Sequence, residues 1–266
     1  MAVKNRILKD AIWSKKDYYQ VARSGSLDTS HPAMKKLVEL ANNAVSILDM
    51  GCGEGTRLSL LKGKGKKRVG VDISPQAISL AQKKYRDIDF RVGTIEKLPF
   101  KKESFDLVYS AFVFEHLENP EKVLKEGIRV LKRRGHLLIV APNFGAPNRA
   151  SPPFKGNRFF KLLRGFIDDF SSKPSLKWSK VKPIATSERY EIDWDTVSEP
   201  YLGSLIKFLN NKKVVVEFAS SCWQQELPGA SLFQEIIRLL ANLKKYPFIL
   251  WGPHLLVVAR KEKIDG

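Results

Sequence analysis

The chain has 266 residues, which is enough for one elaborated α/β domain whose core needs no disulfide bonds. Its two cysteines, Cys52 and Cys222, show no metal-ligand spacing, so we expect a reducing compartment and no metal site. The formal net charge of +18 either attracts anions, such as nucleic acid, acidic lipid or phosphorylated substrates, or only keeps the protein in solution.

The N-terminal residues 1–32 are basic and partly aromatic, with Tyr18 and Tyr19 side by side. Residues 1–10 lack the apolar core of a signal peptide, and no run in the chain reaches the ~18 apolar residues of a membrane-spanning helix. We therefore expect a cytoplasmic protein. Apolar residues at helical spacing then predict a first helix over 32–42.

A glycine-rich stretch, ILDMGCGEG at 47–55, follows this helix. Its apolar start predicts a strand, and residues 56–61 predict a helix directly after the glycines. Gly51 and Gly53 can adopt positive φ and let the main chain approach a ligand, and the helix N-terminus presents free N–H groups there. The pattern predicts either a nucleotide-binding turn or a plain connection between strand and helix.

Two carboxylates near this turn indicate which nucleotide it would bind. Asp72 ends a strand predicted over 68–71, where an acidic residue commonly accepts hydrogen bonds from ribose hydroxyls. Asp49 lies two positions before Gly51 and would repel a pyrophosphate, but it can receive the cationic amino group of a sulfonium cofactor. The charge therefore favours S-adenosylmethionine over the nicotinamide dinucleotides of dehydrogenases, whose GxGxxG pattern is also absent here.

Helices and strands alternate through the rest of the first half of the chain. Helices are predicted over 76–85 and 120–131, and strands over 90–92, 105–110 and 136–140. Two later strands, over 213–220 and 254–260, complete a doubly wound, mostly parallel sheet of seven strands. The ligand site of such a sheet lies at the carboxyl ends of its strands. The residues that fall at such ends are Asp49, Asp72, Thr94, Ser110 and Asn143.

Two insertions interrupt this alternation. The first, 144–199, is rich in proline and in lysine and arginine, and it contains a predicted helix over 157–170 with a basic side and an aromatic side. That helix can lie on an anionic membrane surface, cap an apolar substrate, or pack its apolar side on the domain. The second insertion, 224–253, has a predicted helix over 231–246 and can enlarge the substrate pocket, contact a membrane or form a dimer.

Five pieces of sequence between residues 41 and 143 carry a family resemblance. They are ILDMGCGEG (47–55), GVDIS (70–74), VGTIEKLPF (92–100), SFDLVYSAFVFEHLENP (104–120) and EGIRVLKRRGHLLIVAPN (126–143). In this order they resemble the class I S-adenosylmethionine-dependent methyltransferases, in particular the broad group related to the ubiquinone and menaquinone C-methyltransferases. The resemblance covers roughly 100 residues and does not extend to the substrate-selecting parts.

The resemblance implies a Rossmann-like fold, S-adenosylmethionine as the cofactor, and a set of cofactor contacts. These are Asp49, Gly51, Cys52, Gly53, Asp72, Ile73, Thr94, Ile95, Ser110 and Ala111. Thr94 departs from the family pattern, which often has an aspartate there, so the adenine contact differs. Residues 1–32, with Tyr18 and Tyr19, would fold over the cofactor or only cover an apolar patch.

His116 occupies a position that faces the transferring methyl group in such enzymes. It is therefore a candidate catalytic base, oriented by Glu115, or a residue that only shapes the pocket or caps the helix predicted from residue 120. The whole chain, 1–266, is then one methyltransferase domain in which 144–199 covers the substrate. The acceptor is a small molecule, either lipid-like or isoprenoid, or a phosphorylated glycan precursor. The alternatives are an RNA-directed methyltransferase and a non-catalytic anion-binding protein, for which no stacking platform is evident.

Overall fold

A sheet of seven strands, flanked by helices, forms the centre of the protein. The computed structural model describes residues 16–63, 65–171, 176, 178–184, 191–223 and 232–262. The strands of the main sheet are β1 (Ser46–Met50), β2 (Lys67–Asp72), β3 (Asp89–Val92), β4 (Phe105–Ala111), β5 (Leu131–Pro142), β8 (Val214–Ser220) and β9 (His254–Lys261). Two short strands, β6 (Ser179–Lys180) and β7 (Ser198–Glu199), pair with each other outside it.

The strand order of the main sheet is β3-β2-β1-β4-β5-β9-β8. The strands from β1 to β5 pair in parallel, whereas β9 runs antiparallel to both β5 and β8. The carboxyl ends of β1, β2, β3 and β4 therefore meet at one edge of the sheet. The predicted doubly wound, mostly parallel sheet of seven strands is confirmed.

Eight α-helices are described around the two sheets. They are α1 (Lys16–Leu27), α2 (Pro32–Asn42), α3 (Thr56–Leu60), α4 (Pro75–Lys84), α5 (Pro120–Val130), α6 (Arg158–Asp169), α7 (Leu202–Asn210) and α8 (Leu232–Asn242). The N-cap predicted from sequence is present at α4, where the Ser74 hydroxyl accepts a hydrogen bond from Ala77 N and Pro75 occupies the first turn. Helix α8 ends at Asn242, four residues before the predicted end, and residue 231 lies outside the described residues.

The core lies on both faces of the sheet because side chains alternate along each strand. In β1, Leu48 and Met50 belong to one buried apolar cluster and Ile47 belongs to the other. All residues of β1 are buried, as expected for the central strand of a parallel sheet. This rigid centre fixes the position of the glycine turn that follows Met50.

Asn143, which follows β5, joins the second insertion to the domain. Its side-chain amide donates to the carbonyl oxygens of Leu250 (2.7 Å) and Gly252 (2.8 Å), and its Oδ1 accepts from Leu202 N (2.9 Å). The side chain is fully buried. Although Asn143 lies at a strand end, its polar atoms are therefore used by the protein's own backbone.

The helices of the described residues are short relative to a bilayer. None of the helices within the described ranges is long and apolar enough to cross a membrane. The described part of the first insertion, residues 144–171, 176, 178–184 and 191–199, contains α6, β6 and β7. Helix α6 confirms the helix predicted over 157–170, and the side chain of its N-cap, Asn157, accepts hydrogen bonds from Phe159 N and Phe160 N.

Candidate functional site

A cavity of about 700 Å³ lies at the carboxyl edge of the parallel strands. Its walls come from α1, the glycine turn after β1, the ends of β2, β3 and β4, and the turn that follows β4. Most of the residues predicted from sequence to contact the cofactor or act in catalysis line this cavity. They are Gly51, Cys52, Gly53, Asp72, Ile73, Thr94, Ile95, Ala111 and His116.

Two predicted contact residues, Ser110 and Asp49, do not line the cavity. Ser110 is fully buried, and its hydroxyl donates to the carbonyl oxygen of Met50 at 2.8 Å. It therefore ties β4 to β1, and the structure corrects its predicted role as a direct contact. Asp49 is buried beside the glycine turn, where its Oδ2 accepts a hydrogen bond from the Tyr109 hydroxyl at 2.6 Å.

The glycine turn has the conformation that its sequence predicts. Gly51 and Gly53 adopt φ values of 86° and 53°, a region that residues with a β-carbon rarely adopt. A β-carbon at Gly51 would lie 2.5 Å from Cγ2 of Val113, so the turn packs tightly on one side. A β-carbon at Gly53 would meet no protein atom within 4 Å, and since Gly53 lines the cavity, a ligand can approach the main chain there.

Asp72 is held in place by two backbone donors. Its Oδ2 accepts from Gly53 N and its Oδ1 from Ser74 N, both at 2.8 Å. Burial raises the pKa of the Asp72 carboxyl, and the two backbone N–H groups oppose that shift. Because a carboxylate offers about four acceptor positions, two remain for other donors. An oriented carboxylate of this kind fits the vicinal hydroxyls of a ribose.

Thr94 and Glu96 form the adjoining wall of the cavity. The Thr94 hydroxyl already accepts a hydrogen bond from Glu96 N at 3.2 Å, so its oxygen is partly used within the protein. The Glu96 side chain accepts from Asn119 and pairs with Lys122 at 3.3 Å. The sequence did not indicate Glu96. Its side chain supplies this wall with a carboxylate, which Thr94 cannot supply.

Asp49 is an unusual carboxylate because it is buried and only one of its two oxygens accepts a hydrogen bond. Its Oδ1 has no hydrogen-bond partner among the described residues. Burial raises the pKa of its carboxyl to about 7, and Asp72 adds to this rise, while Tyr109 and Arg57 oppose it. A cationic group near the glycine turn would stabilise the ionised form. Asp49, Gly53 and Asp72 together fit a cofactor that has a ribose and a positive charge.

Stability measured against pH tests the environment of Asp49. Between about pH 4 and pH 7 the unfolded chain releases this proton while the folded chain keeps it, so the wild type loses stability as pH rises through this window. The Asp49→Asn variant lacks this titration. Urea unfolding at a series of pH values should show the wild type losing stability relative to the variant up to about pH 7 and then running parallel to it. Parallel curves throughout would show that the carboxyl is not perturbed.

His116 lies in the turn after β4 and is flanked by two buried carboxylates. Its Nδ1 is 3.4 Å from Oδ2 of Asp195, and its Nε2 is 3.7 Å from Oε1 of Glu115. Asp195 is fully buried, and neither of its carboxylate oxygens has a well-aligned hydrogen bond within the described residues. Burial raises the pKa of Glu115 to about 7, and His116 opposes the rise. The sequence indicated Glu115 but not Asp195.

The charged residues that line the cavity are mostly acidic. They comprise the four carboxylates of Glu54, Asp72, Glu96 and Glu118 and the single guanidinium of Arg57. Arg57 lies over the ring of Phe112, with 5.7 Å between its Cζ and the ring centroid. Two of these carboxylates are paired with lysines that do not line the cavity, Glu54 with Lys84 at 3.6 Å and Glu96 with Lys122 at 3.3 Å. The lining itself still has more acidic than basic groups, although the chain has a net charge of +18.

Part of the chain matches a family of known sequences. Residues 48–139 match a protein family described as "Methyltransferase domain". The matched residues and the seven-stranded sheet are similar to those of the class I S-adenosylmethionine-dependent methyltransferases, among them the quinone methyltransferases. S-adenosylmethionine is the cofactor of such domains, and it supplies a methyl group on a positively charged sulfur.

Two curated relatives carry different descriptions. The chain is 36% identical over 137 residues to the demethylmenaquinone methyltransferase of Thermotoga maritima, covering 50% of this chain and 59% of that protein. It is 32% identical over 130 residues to a putative 23S rRNA (guanine-N(1)-)-methyltransferase of Bacillus subtilis, covering 46% and 44%. The chain thus spans about half the length of the curated relatives it matches.

Solved structures confirm the fold over almost the whole chain. A putative methyltransferase of Haloferax volcanii, determined in complex with the Trm112 methyltransferase activator, has a TM-score of 0.56 at 17% identity and covers 96% of this chain and 99% of its own. A putative methyltransferase of Bacillus halodurans has a TM-score of 0.52 at 17% identity and covers 86% and 97%. At these identities the likeness concerns the fold alone.

Proposed function

We propose that the protein transfers the methyl group of S-adenosylmethionine to an uncharged, lipid-like small molecule, from which His116 removes a proton. The observation that carries this proposal is the placement of His116. Its ring lines the cavity between two buried carboxylates, Asp195 and Glu115. Gly53 and Asp72, which line the same cavity, are suited to hold the cofactor.

The proposed base is Nε2 of His116. In the tautomer whose Nδ1–H points towards Asp195, Nε2 has a lone pair that can accept a proton from an O–H or an activated C–H of the acceptor. The imidazolium formed in this way is stabilised by the negative charge of Asp195, 3.4 Å away. The acceptor atom gains nucleophilicity as it loses its proton, which favours attack on the methyl group.

The charge of the cavity distinguishes the classes of acceptor. A phosphorylated glycan precursor or an RNA would bring phosphates towards four carboxylates, two of them paired with lysines, and one guanidinium. The remaining excess of negative charge is unfavourable for a phosphate in a partly desolvated site. The same repulsion disfavours a non-catalytic anion-binding role for this cavity. An uncharged lipid-like acceptor meets no such repulsion, and the relative from Thermotoga maritima is described as acting on a demethylmenaquinone.

We also propose that both predicted covering segments serve this site. In the N-terminal segment 1–32, Tyr18 and Tyr19 line the cavity, and the Tyr19 hydroxyl lies 3.0 Å from that of Ser74. Residues 1–15 lie outside the described residues. In the insertion 144–199, Val197 N donates to the carbonyl of Glu115 at 2.9 Å. That insertion therefore fixes the turn that holds His116. A cytoplasmic location stays a prediction from the sequence.

Transfer of a tritiated methyl group tests the proposed acceptor class. The purified chain is incubated with labelled S-adenosylmethionine and, separately, with a total lipid extract, sugar nucleotides or RNA. We expect the label in the organic phase of the lipid reaction, at a level well above that of a cavity variant such as Gly53→Val. Label in the sugar nucleotides or in the RNA, with none in the lipid, would contradict the proposal.

A further inference from the structure

Helix α6 is attached to the domain by its polar side. Lys161 Nζ reaches Oε2 of Glu199 at 2.7 Å, and Asp169 Oδ2 accepts from Trp251 Nε1 at 2.9 Å. Between them, Gly165 packs so closely on Pro147 that a β-carbon would lie 2.6 Å from its Cγ. Residues 161, 165 and 169 are four apart and form one stripe of the helix. No residue of α6 is buried.

The opposite side of α6 is apolar and faces outward. Phe159, Phe160, Ile167 and Phe170 are 67%, 66%, 61% and 70% exposed. An amphipathic helix on a protein surface normally turns its apolar stripe towards the core. Here the arrangement is inverted, because the contacts of the polar stripe hold the apolar one in solvent.

Helix α8 in the second insertion shows the same feature. Leu232, Ile236, Leu239 and Leu243 follow helical spacing and are 80%, 48%, 56% and 57% exposed. Tyr246, which follows α8 in the second insertion, packs against the apolar side of α6. Its ring centroid lies 5.3 Å from that of Phe170 and 6.0 Å from that of Phe166. We call this combined surface the insertion face. It is defined by Phe159, Phe160, Phe166, Ile167 and Phe170 of the first insertion with Leu232, Ile236, Leu239, Leu243 and Tyr246 of the second.

We propose that the insertion face docks on the surface of an anionic lipid bilayer. Exposed cations flank it, namely Lys155, Arg158, Arg164, Lys244 and Lys245. Two exposed acids are also present, but Asp168 lies 3.8 Å from Arg164 and Glu235 lies 3.0 Å from Arg238. An outward apolar stripe with basic flanks is the pattern of helices that lie in the interface of anionic membranes.

Charge also argues against a second copy of this chain as the occupant. Two copies would each bring a net charge of +18 to the contact, and their mutual repulsion opposes association. An anionic bilayer has the complementary charge.

Helix α6 follows β5 and α8 precedes β9, and Pro142 pairs with His254 where these two strands meet. The insertion face therefore lies at the same edge of the sheet as the cavity.

Vesicle flotation tests the apolar part of the insertion face. The full chain, without cofactor or acceptor, is mixed with vesicles of phosphatidylglycerol and phosphatidylcholine or of phosphatidylcholine alone. We expect preference for the anionic vesicles that declines as salt rises, and about tenfold weaker binding after two apolar side chains are replaced. The variants are Phe160→Gln with Ile167→Gln and, separately, Leu239→Gln with Leu243→Gln. The matched control is Val45→Gln with Leu80→Gln, two exposed apolar residues outside the insertion face.

A second pair of variants tests the charge. Lys155→Gln with Arg164→Gln should lower binding to the anionic vesicles only, whereas Lys35→Gln with Arg86→Gln, two exposed cations elsewhere, should have a smaller effect. Thermal unfolding verifies that each variant is folded. Failure of the wild type to bind vesicles, or equal binding by the insertion-face variants and their controls, would overturn the proposal. So would a dimer in light scattering that the same apolar substitutions dissociate. Since no methyl transfer is measured, the result is independent of the acceptor.

Discussion

Substitution of Gly53 by valine is expected to abolish binding of S-adenosylmethionine while the fold is kept. A β-carbon at Gly53 meets no protein atom within 4 Å, so the valine side chain would occupy space that the cofactor needs. The residue also has a φ of 53°, which strains any side chain. Titration calorimetry should show no binding, and circular dichroism should show an unchanged fold.

Gly65→Val is the matched control for this strain. Gly65 has a φ of 74° and equally open surroundings, but it is absent from the residues that line the cavity. The control should lose some stability and keep cofactor affinity.

At the ribose end, Asp72→Ala should weaken binding by about 1.5–3 kcal/mol, because it removes charge-assisted hydrogen bonds. Wild-type affinity in both cavity variants would rule out this cofactor site.

Loss of His116 is expected to slow methyl transfer by roughly 10²–10⁴-fold with cofactor affinity unchanged. The reason is that neither alanine nor glutamine can accept the acceptor's proton at neutral pH. Single-turnover rates of His116→Ala and His116→Gln, measured over a range of pH, give the size of the effect. The control is His136→Gln, which replaces a histidine of β5 that pairs with Glu217 at 3.2 Å and does not line the cavity.

Asp195→Asn separates a base from a residue that only shapes the pocket. The substitution keeps the shape of the side chain but removes the negative charge beside Nδ1. If His116 is the base, the rise of the rate with pH should shift to lower pH, because the imidazolium loses its stabilising carboxylate and the pKa of the ring therefore falls. A rate for the His116 variants within a few fold of wild type, with the same pH profile, would remove His116 from catalysis.

The sequence was sufficient for the parts of the site that depend on local patterns. Gly51, Gly53 and Asp72 follow predicted strands, and the conformation of a short turn is largely set by its own residues. These three residues line one cavity because the carboxyl ends of parallel strands lie at the same edge of the sheet. Tyr18 and Tyr19, which lie in a separate helix, also line the cavity, and their role in covering the cofactor stays a prediction.

What the sequence could not provide depends on distant contacts. Asp195 is 79 positions from His116, and the insertion that brings them together has no motif. Ser110 and Asp49 were expected on the cavity wall because they lie near strand ends, but cross-strand partners, Met50 and Tyr109, hold their side chains inside the sheet. The acidic lining of the cavity was likewise not evident from the sequence, since its four carboxylates come from four separate segments of a basic chain.

The inverted orientation of α6 had a partial signal in the sequence. Its basic and aromatic sides were evident from helical spacing, and contact with a membrane was one of the alternatives. Which side faces the domain depends on Gly165, Asp169 and their partners Pro147 and Trp251, which come from three different segments. Periodicity gives the two sides of a helix but not the direction in which each side points.

Methyl transfer to an uncharged lipid and to its phosphate monoester, compared under the same conditions, tests most directly whether the cavity selects an uncharged acceptor. The lipid that takes up label from the extract is purified, and both forms are assayed in detergent with saturating S-adenosylmethionine. Repulsion from the carboxylates of the cavity predicts a kcat/KM at least about tenfold higher for the uncharged form. An equal or higher kcat/KM for the phosphate monoester would contradict an uncharged acceptor.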